Sequence, residues 1–294
     1  MRYKQTGSDL IFAIFLAIFG MLIFAVMFYP LWFVVIASIS DPIAVVSGQV
    51  TLLPIRPSLE SFELVFRERN IWIGYRNSLF YLVLGTSINL IMTTLGAYPL
   101  SRPDFPFRTF FTFFIAFTML FSGGMIPFFL LVNNLGMFDT IWAMVIPGAI
   151  STWNLLIMKN YFQSSIPMEL KEAATIDGCS DLHILLRIVL PLSKPIIAVL
   201  ALFYAAGHWN AFFNALIFLR NRDLFPLQIF LRNILLQNHH EVLQGELIGM
   251  LERIIRGETM KYAVIIVASV PMLILYPFAQ KYFIKGVMVG ALKG

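Results

Sequence analysis

The stretch Ser165–Ser180 reads SIPMELKEAATIDGCS and runs on through Asp181 to Ile188-Val189-Leu190-Pro191. It is polar and rich in turn chemistry, and strongly hydrophobic sequence flanks it on both sides. Pro167 suits the first turn of a helix, where a missing N–H costs nothing, and Ser165 is a candidate cap. Glu169 falls in that first turn, where a carboxylate complements the positive helix end. The Ser-to-Glu spacing of four departs from the three of a capping box. Leu170, Ala173, Ala174 and Ile176 form a small apolar patch, and the two alanines allow another surface to approach closely. Asp177-Gly178 is a turn signal, with Gly178 free to take the left-handed conformation that ends a helix. A second helix is expected to carry Leu182, Leu185, Leu186 and Val189 on one side and to stop at Pro191, with Pro195 starting the next span. Cys179, beside the turn, reads as a spectator. The expected product is a short helix-turn-helix outside the bilayer, placed to grip a partner.

The rest of the chain reads as membrane. Hydrophobic residues make up 59% and charged residues only 13% of the 294, where a soluble domain carries about a quarter charged. The net charge of +5 does not indicate nucleic acid, because Lys and Arg gather at span ends and in loops. A single cysteine excludes an intrachain disulfide.

A spanning helix needs about 20 mostly apolar residues. Six runs qualify: Leu10–Ile39, Leu79–Leu100, Phe110–Val132, Ile141–Met158, Ile196–Leu219 and Tyr262–Gln280. The first is longer than a signal-peptide core and reads as an uncleaved helix. With the N-terminus cytoplasmic, inner segments carry 11 of the 21 Lys and Arg and outer segments ten. Acidic residues divide ten outside and six inside. Both counts lean toward a cytoplasmic N-terminus, although the cation count alone barely decides. Two outer segments are long. Asp41–Arg76 is punctuated by prolines. Arg220–Lys261 places Leu227, Leu231, Ile234 and Leu235 on one helical face, and Val242–Ile255 shows a similar stripe. These read either as helices lying at the interface or as a docking surface for an outer partner.

Glu172-Ala173-Ala174, then Gly178, then nine residues, then Ile188-Val189-Leu190-Pro191 resembles the EAA loop of binding-protein-dependent ABC importer permeases. The likeness covers roughly Tyr75 to Ile284, and the tail from Gln280 is similar to that of the smaller, second sugar permeases. Within that branch the chain looks most like the second permease of bacterial alginate importers. The resemblance implies an all-α membrane protein with six transmembrane helices and the type I importer permease fold. It implies an N-terminal helix and first outer segment over 1–74, a transmembrane core over 75–285 with its EAA loop at about 165–191, and a cytoplasmic tail over 286–294. The loop becomes a cytoplasmic coupling helix seated on an ATP-hydrolysing subunit. Glu169, Glu172, Ala173, Ala174, Asp177 and Gly178 would make or shape that contact. Both termini would be cytoplasmic in a bacterial inner membrane. The implied partners are a second permease, two ATPase subunits holding ATP and magnesium, a solute-binding protein, and an oligosaccharide, with alginate or a related acidic polysaccharide as the expected cargo. The chain itself would be non-catalytic and would hold no cofactor or metal.

None of the six runs contains Asp, Glu, Lys or Arg. Apart from tyrosines, His208 is the only ionisable group deep in a run; intramembrane charges usually mark ion or proton pathways, so their absence argues against ion-driven transport within this chain. No potassium-filter loop, phosphate-binding loop or HExxH site occurs, and His239-His240-Glu241 lacks the helical histidine spacing of a metal site. Candidate substrate residues are Tyr204, His208, Trp209, Asn210 and Asn214 in the fifth run and Trp153-Asn154 in the fourth. Amides can hydrogen-bond sugar hydroxyls and aromatic rings can cover pyranose faces, but the same residues can serve as interhelical packing. Arg220, Arg222, Arg232, Arg253 and Arg256 could draw a polyanion inward or pair with Glu246, Glu252 and Glu258. The alternative function is a secondary transporter or channel that acts alone.

Overall fold

The computed structural model describes residues 7–240, 257, 260–277 and 280, and no strand occurs among them. In chain order the helices are α1 (Gly7–Ser38), α2 (Pro42–Val46), α3 (Glu60–Arg67), α4 (Arg69–Ser101), α5 (Arg108–Phe117), α6 (Met125–Asn134), α7 (Trp142–Val145), α8 (Thr152–Ser165), α9 (Met168–Ile176), α10 (Asp181–Ile184), α11 (Leu190–Leu192), α12 (Lys194–Trp209), α13 (Phe213–Phe218) and α14 (Leu227–His240). A last helix, α15, spans Met260–Pro277. The chain divides into two compact units. One takes the residues up to Arg69 with Leu231–Ser269, and the other takes Asn70–Phe230 with the residues from Val270 onward.

In the first unit, α1 is apolar on every side and buries only Ile36, Ala37 and Ser38 at its C-terminal end. Its 32 residues extend about 48 Å, enough to cross a membrane without a polar face. The chain then folds back on itself. Asp41 caps α2 by accepting from the Ile43 and Ala44 amides, Trp32 Nε1 donates to the Leu52 carbonyl at 2.9 Å, and Ile36, Ala44 and Val50 close a small core.

In the second unit, α4 runs for 33 residues, well beyond the apolar run seen in the sequence. Two polar residues of the surplus, Asn77 and Ser78, are buried. Asn77 donates to the carbonyls of Asp223 and Phe225, Tyr81 to that of Leu224, and Ser78 accepts from the Leu227 amide. This end of α4 therefore holds the segment leading into α14. Gly74 allows the approach, because a Cβ there would lie 2.8 Å from the Leu227 Cα.

Three of the six apolar runs are not single helices. Phe110–Val132 divides between α5 and α6, ten residues each and too short to cross alone. Ser122-Gly123-Gly124 breaks it, with Gly124 at φ 84°. Ile141–Met158 divides at Pro147-Gly148 into α7 and α8, and α8 continues to Ser165, capped by Ser151. Ile196–Leu219 divides after Trp209, where Asn210 turns back to the Ala206 carbonyl at 2.9 Å. Among the described residues three helices, α1, α4 and α15, are long and apolar enough to cross a membrane, and a bent pair makes up to four. The periodicity of an apolar run cannot show these breaks, since Gly and Pro inside one are tolerated wherever neighbours satisfy the freed backbone groups.

Candidate functional site

The polar stretch forms α9, a turn, and a second helical rod, as its residues require. Pro167 is the N-cap of α9 rather than a first-turn residue, and no side chain caps this end, since Ser165 closes α8 instead. The C-terminal end is a complete Schellman motif. The Cys179 amide donates to Ala174 O at 2.9 Å, the Gly178 amide to Thr175 O at 3.0 Å, and Gly178 takes φ 76°. Cys179, half-buried, packs on the same core as Ala174, so the expected spectator closes the motif's apolar contact.

Ala174 is the one buried residue of α9. Glu169, Leu170, Glu172, Ala173, Ile176, Asp177 and Gly178 are exposed, and Ile176 reaches 86% exposure. On a helix, 167, 171 and 174 share the inner side while 169, 172 and 176 share an outer one. Of the coupling candidates, Ala174 thus faces inward and the rest line the outer surface.

The rod after the turn starts under a Ser180 cap, whose hydroxyl accepts from the His183 amide. It does not stop at Pro191. A π-helical segment, Leu185–Val189, precedes the proline and shifts the hydrogen-bond register, so the rod continues to Leu192. Such wide turns occur frequently at functional sites. The chain then bends by 83° into α12. Ser193 occupies the bend, fully buried, with no hydrogen-bond partner for its hydroxyl among the described residues. Ile184, Leu185 and Val189 press into a core shared with Tyr98 and Leu100 of α4, Leu155, Met158 and Phe162 of α8, and Leu200 of α12.

An ion-pair network absent from the sequence reading holds α9 in place. Arg102 follows α4. Its Nε and Nη2 grip Asp104 at 3.1 and 2.6 Å, and its Nη1 pairs with Asp181 at the start of the rod. Lys171 of α9 meets Asp104 at 3.4 Å. The Arg102 fork holds the Asp104 carboxyl well below the usual carboxylate range, and Asp104 in turn raises the guanidinium's affinity for its proton. The polar SRPD at 101–104, between two apolar runs, is the signal that could have exposed the network.

The candidate substrate residues scatter. Tyr204 is buried, exchanges a 2.6 Å hydrogen bond with Thr93 and accepts from the Ser151 amide. His208 Nε2 lies 2.7 Å from Asn89 Oδ1, and Asn89 donates to Gly148 O. Gly85 makes room for that imidazole, since a Cβ there would lie 2.3 Å from the ring. Trp209 is 2% exposed and meets Tyr75 edge-on at 5.7 Å, and Asn154 is buried. Asn210 is exposed, Asn214 half-buried, and Trp153 exposed. The fold therefore does not gather these seven into one surface. Arg220 stacks on Phe138, and its amide donates to Asp139. The side chains of His239 and His240, with Glu241, Glu246, Glu252, Arg253, Arg256, Glu258, the Val242–Ile255 stripe and the 286–294 tail, lie outside the described residues. No cluster of potential metal ligands occurs among those described.

Three helices long and apolar enough to cross a membrane, and a short polar helix with an exposed face, fit a multi-pass membrane protein. Residues 71–289 match the family of binding-protein-dependent transport system inner membrane components, and the chain belongs to it. It is 43% identical over 266 residues to the polygalacturonan/rhamnogalacturonan transport system permease protein YtcP of Bacillus subtilis, covering 90% of this chain and 92% of that protein. It is 38% identical to Protein LplC of the same organism, over 92% of this chain and 90% of that protein. A chain in the crystal structure of a bacterial ABC transporter involved in the import of the acidic polysaccharide alginate superposes with a TM-score of 0.87 and 35% identity, over 96% of this chain and 100% of that one. The protein is a permease subunit of a binding-protein-dependent ABC importer, with the all-helical type I importer fold.

Proposed function

We propose that this chain is the smaller permease of an importer for acidic oligosaccharides, and that α9 is the lever through which ATP hydrolysis in partner subunits moves it. The outer face of α9 carries this reading: Glu172, Ala173 and Ile176 point away from a helix whose inner side is pinned by Ala174 and Lys171. A second permease would complete the pathway, two ATPase subunits with ATP and magnesium would seat on the α9 face, and a solute-binding protein would deliver cargo on the opposite side. Both termini are then cytoplasmic. A polygalacturonan/rhamnogalacturonan permease and an alginate importer among the relatives support a polyanionic sugar as cargo. Force on α9 passes into the rod through the Schellman turn and the Arg102–Asp181 pair, and across the 83° bend into α12. The coupling is reciprocal, so loaded binding protein favours the ATPase-closed state by the same free energy.

The test is ATPase stimulation by sugar-loaded binding protein in the reconstituted complex. Glu172→Lys reverses a charge on the docking face, and Gly178→Val forces a branched side chain into a left-handed position at a cost of about 1–2 kcal/mol. Space around Gly178 is open, so both variants are expected to insert normally and to lose stimulation. Unchanged stimulation in both rules out the coupling role.

A further inference from the structure

A cavity of about 230 Å³ opens behind α9, on the side opposite the docking face. Its lining includes Arg102, Arg108 and Lys171 and no carboxylate, with Gln163 among the polar groups and Ile184 and Ile188 in the apolar wall. Two of the cations are already balanced, because Arg102 pairs with Asp104 and Asp181, and Lys171 shares Asp104. Arg108 makes no ion pair among the described residues, and Lys159 lies within its electrostatic reach. The cavity therefore carries a surplus of positive charge. Pro167 and Met168 also line it. They are the uncapped N-terminal end of the nine-residue α9, where first-turn amides favour an anion. Burial, then the neighbouring Arg102 charge, lowers the Lys171 pKa, and Asp104 opposes that shift.

We propose that this cavity binds a phosphate group, held between Arg108, Lys171 and the α9 N-terminus, and supplied by the headgroup of an anionic lipid. The volume is below the roughly 300 Å³ at which pockets begin to enclose whole small ligands, so it suits a headgroup phosphate rather than a nucleotide. Basic pockets between helices at the cytoplasmic side of a membrane are suited to lipid phosphates, and the apolar wall at Ile184 and Ile188 offers acyl carbons a path beside the cationic mouth. A bound phosphate would brace the inner side of α9 while leaving the Glu172 and Ile176 face free. That the cavity meets the inner leaflet rests on the orientation proposed above, whereas binding in detergent depends on neither orientation nor coupling.

The experiment is native mass spectrometry of the purified importer complex titrated with phosphatidylglycerol or phosphatidylcholine, with inorganic phosphate as competitor. Wild type is expected to retain phosphatidylglycerol preferentially. Arg108→Gln should weaken that retention about tenfold, the loss of one charge-assisted contact, and Arg108→Lys should restore most of it. Retention that survives excess inorganic phosphate supports the lipid source, and displacement by it supports the same phosphate site filled from solution. Equal retention of both lipids, or phosphatidylglycerol binding unchanged by Arg108→Gln, overturns the proposal. Circular dichroism melts of the variants verify that they are folded.

Discussion

At the scale of single residues, the two tryptophans of the candidate pathway differ in what their loss removes. Trp209 is 2% exposed against Tyr75, whereas Trp153 is 60% exposed. Truncating a buried Trp costs about 3–5 kcal/mol. Trp209→Ala is therefore expected to lower the melting temperature of the purified complex markedly, while Trp153→Ala stays within about 0.5 kcal/mol of wild type. Equal melting temperatures for the two variants would contradict the packing role of Trp209. Composition marks Tyr204, His208 and Trp209 as groups able to hold a sugar, but composition does not distinguish a sugar hydroxyl from Thr93, or a ligand amide from Asn89. Those partners lie 111 and 119 residues away in sequence, beyond the reach of any local pattern. Gly178 is the opposite case: its left-handed backbone is dictated by the Asp-Gly pair and the helix before it.

At the scale of elements, α9 is too short to be stable alone, since isolated helices below about 12 residues are marginal in water. With one buried residue it gains little from apolar burial. Its order depends on the Schellman turn and on the Arg102 fork. Arg102→Gln, and equally Arg102→Lys, whose one nitrogen cannot replace the three of the guanidinium fork, is expected to raise hydrogen exchange in the α9 amides about tenfold, equivalent to roughly 1.4 kcal/mol. The pH sign follows from Asp104. Its folded pKa is depressed, so its stabilisation is complete above the ordinary carboxylate range, near 4, and is lost only as pH falls through the lower folded value. Between pH 8 and 5, α9 protection corrected for intrinsic rates should therefore be flat, and a rise in exchange near pH 6 would exclude Asp104 as the anchor. The turn, the rod and their order were legible in the sequence, because caps and glycine act locally. The passage through Pro191 was not. A proline reads as a stop, and the rod ends at Leu192, one residue beyond it, after a π segment whose register shift no local pattern announces.

At the scale of the whole molecule, the spans decide what the chain can do unaided. Runs dense in apolar residues identify a membrane protein at once, but they overstate helix continuity: Gly123-Gly124, Pro147-Gly148 and Asn210 break three of them. The six runs lack acidic and basic residues, and buried amides of the second unit such as Asn89 and Asn77 are spent on the backbone carbonyls of Gly148 and Asp223. An ion-driven carrier needs a group that binds the coupling ion and changes state within the membrane, and apart from tyrosines these runs hold only the imidazole of His208, which is engaged with Asn89. That absence agrees with the proposal that energy enters at the exposed face of α9. Vesicles holding only this chain are expected to take up acidic oligosaccharide no faster than protein-free vesicles, with or without a proton or sodium gradient. Vesicles holding the second permease, the ATPase subunits and external binding protein should accumulate it only when ATP is enclosed, and Glu172→Lys should abolish that accumulation without changing the amount of complex inserted. Radiolabelled uptake measures both. Gradient-dependent uptake by the isolated chain would transfer the assignment to a secondary transporter, because it would show a driving site within the spans that these residues do not supply.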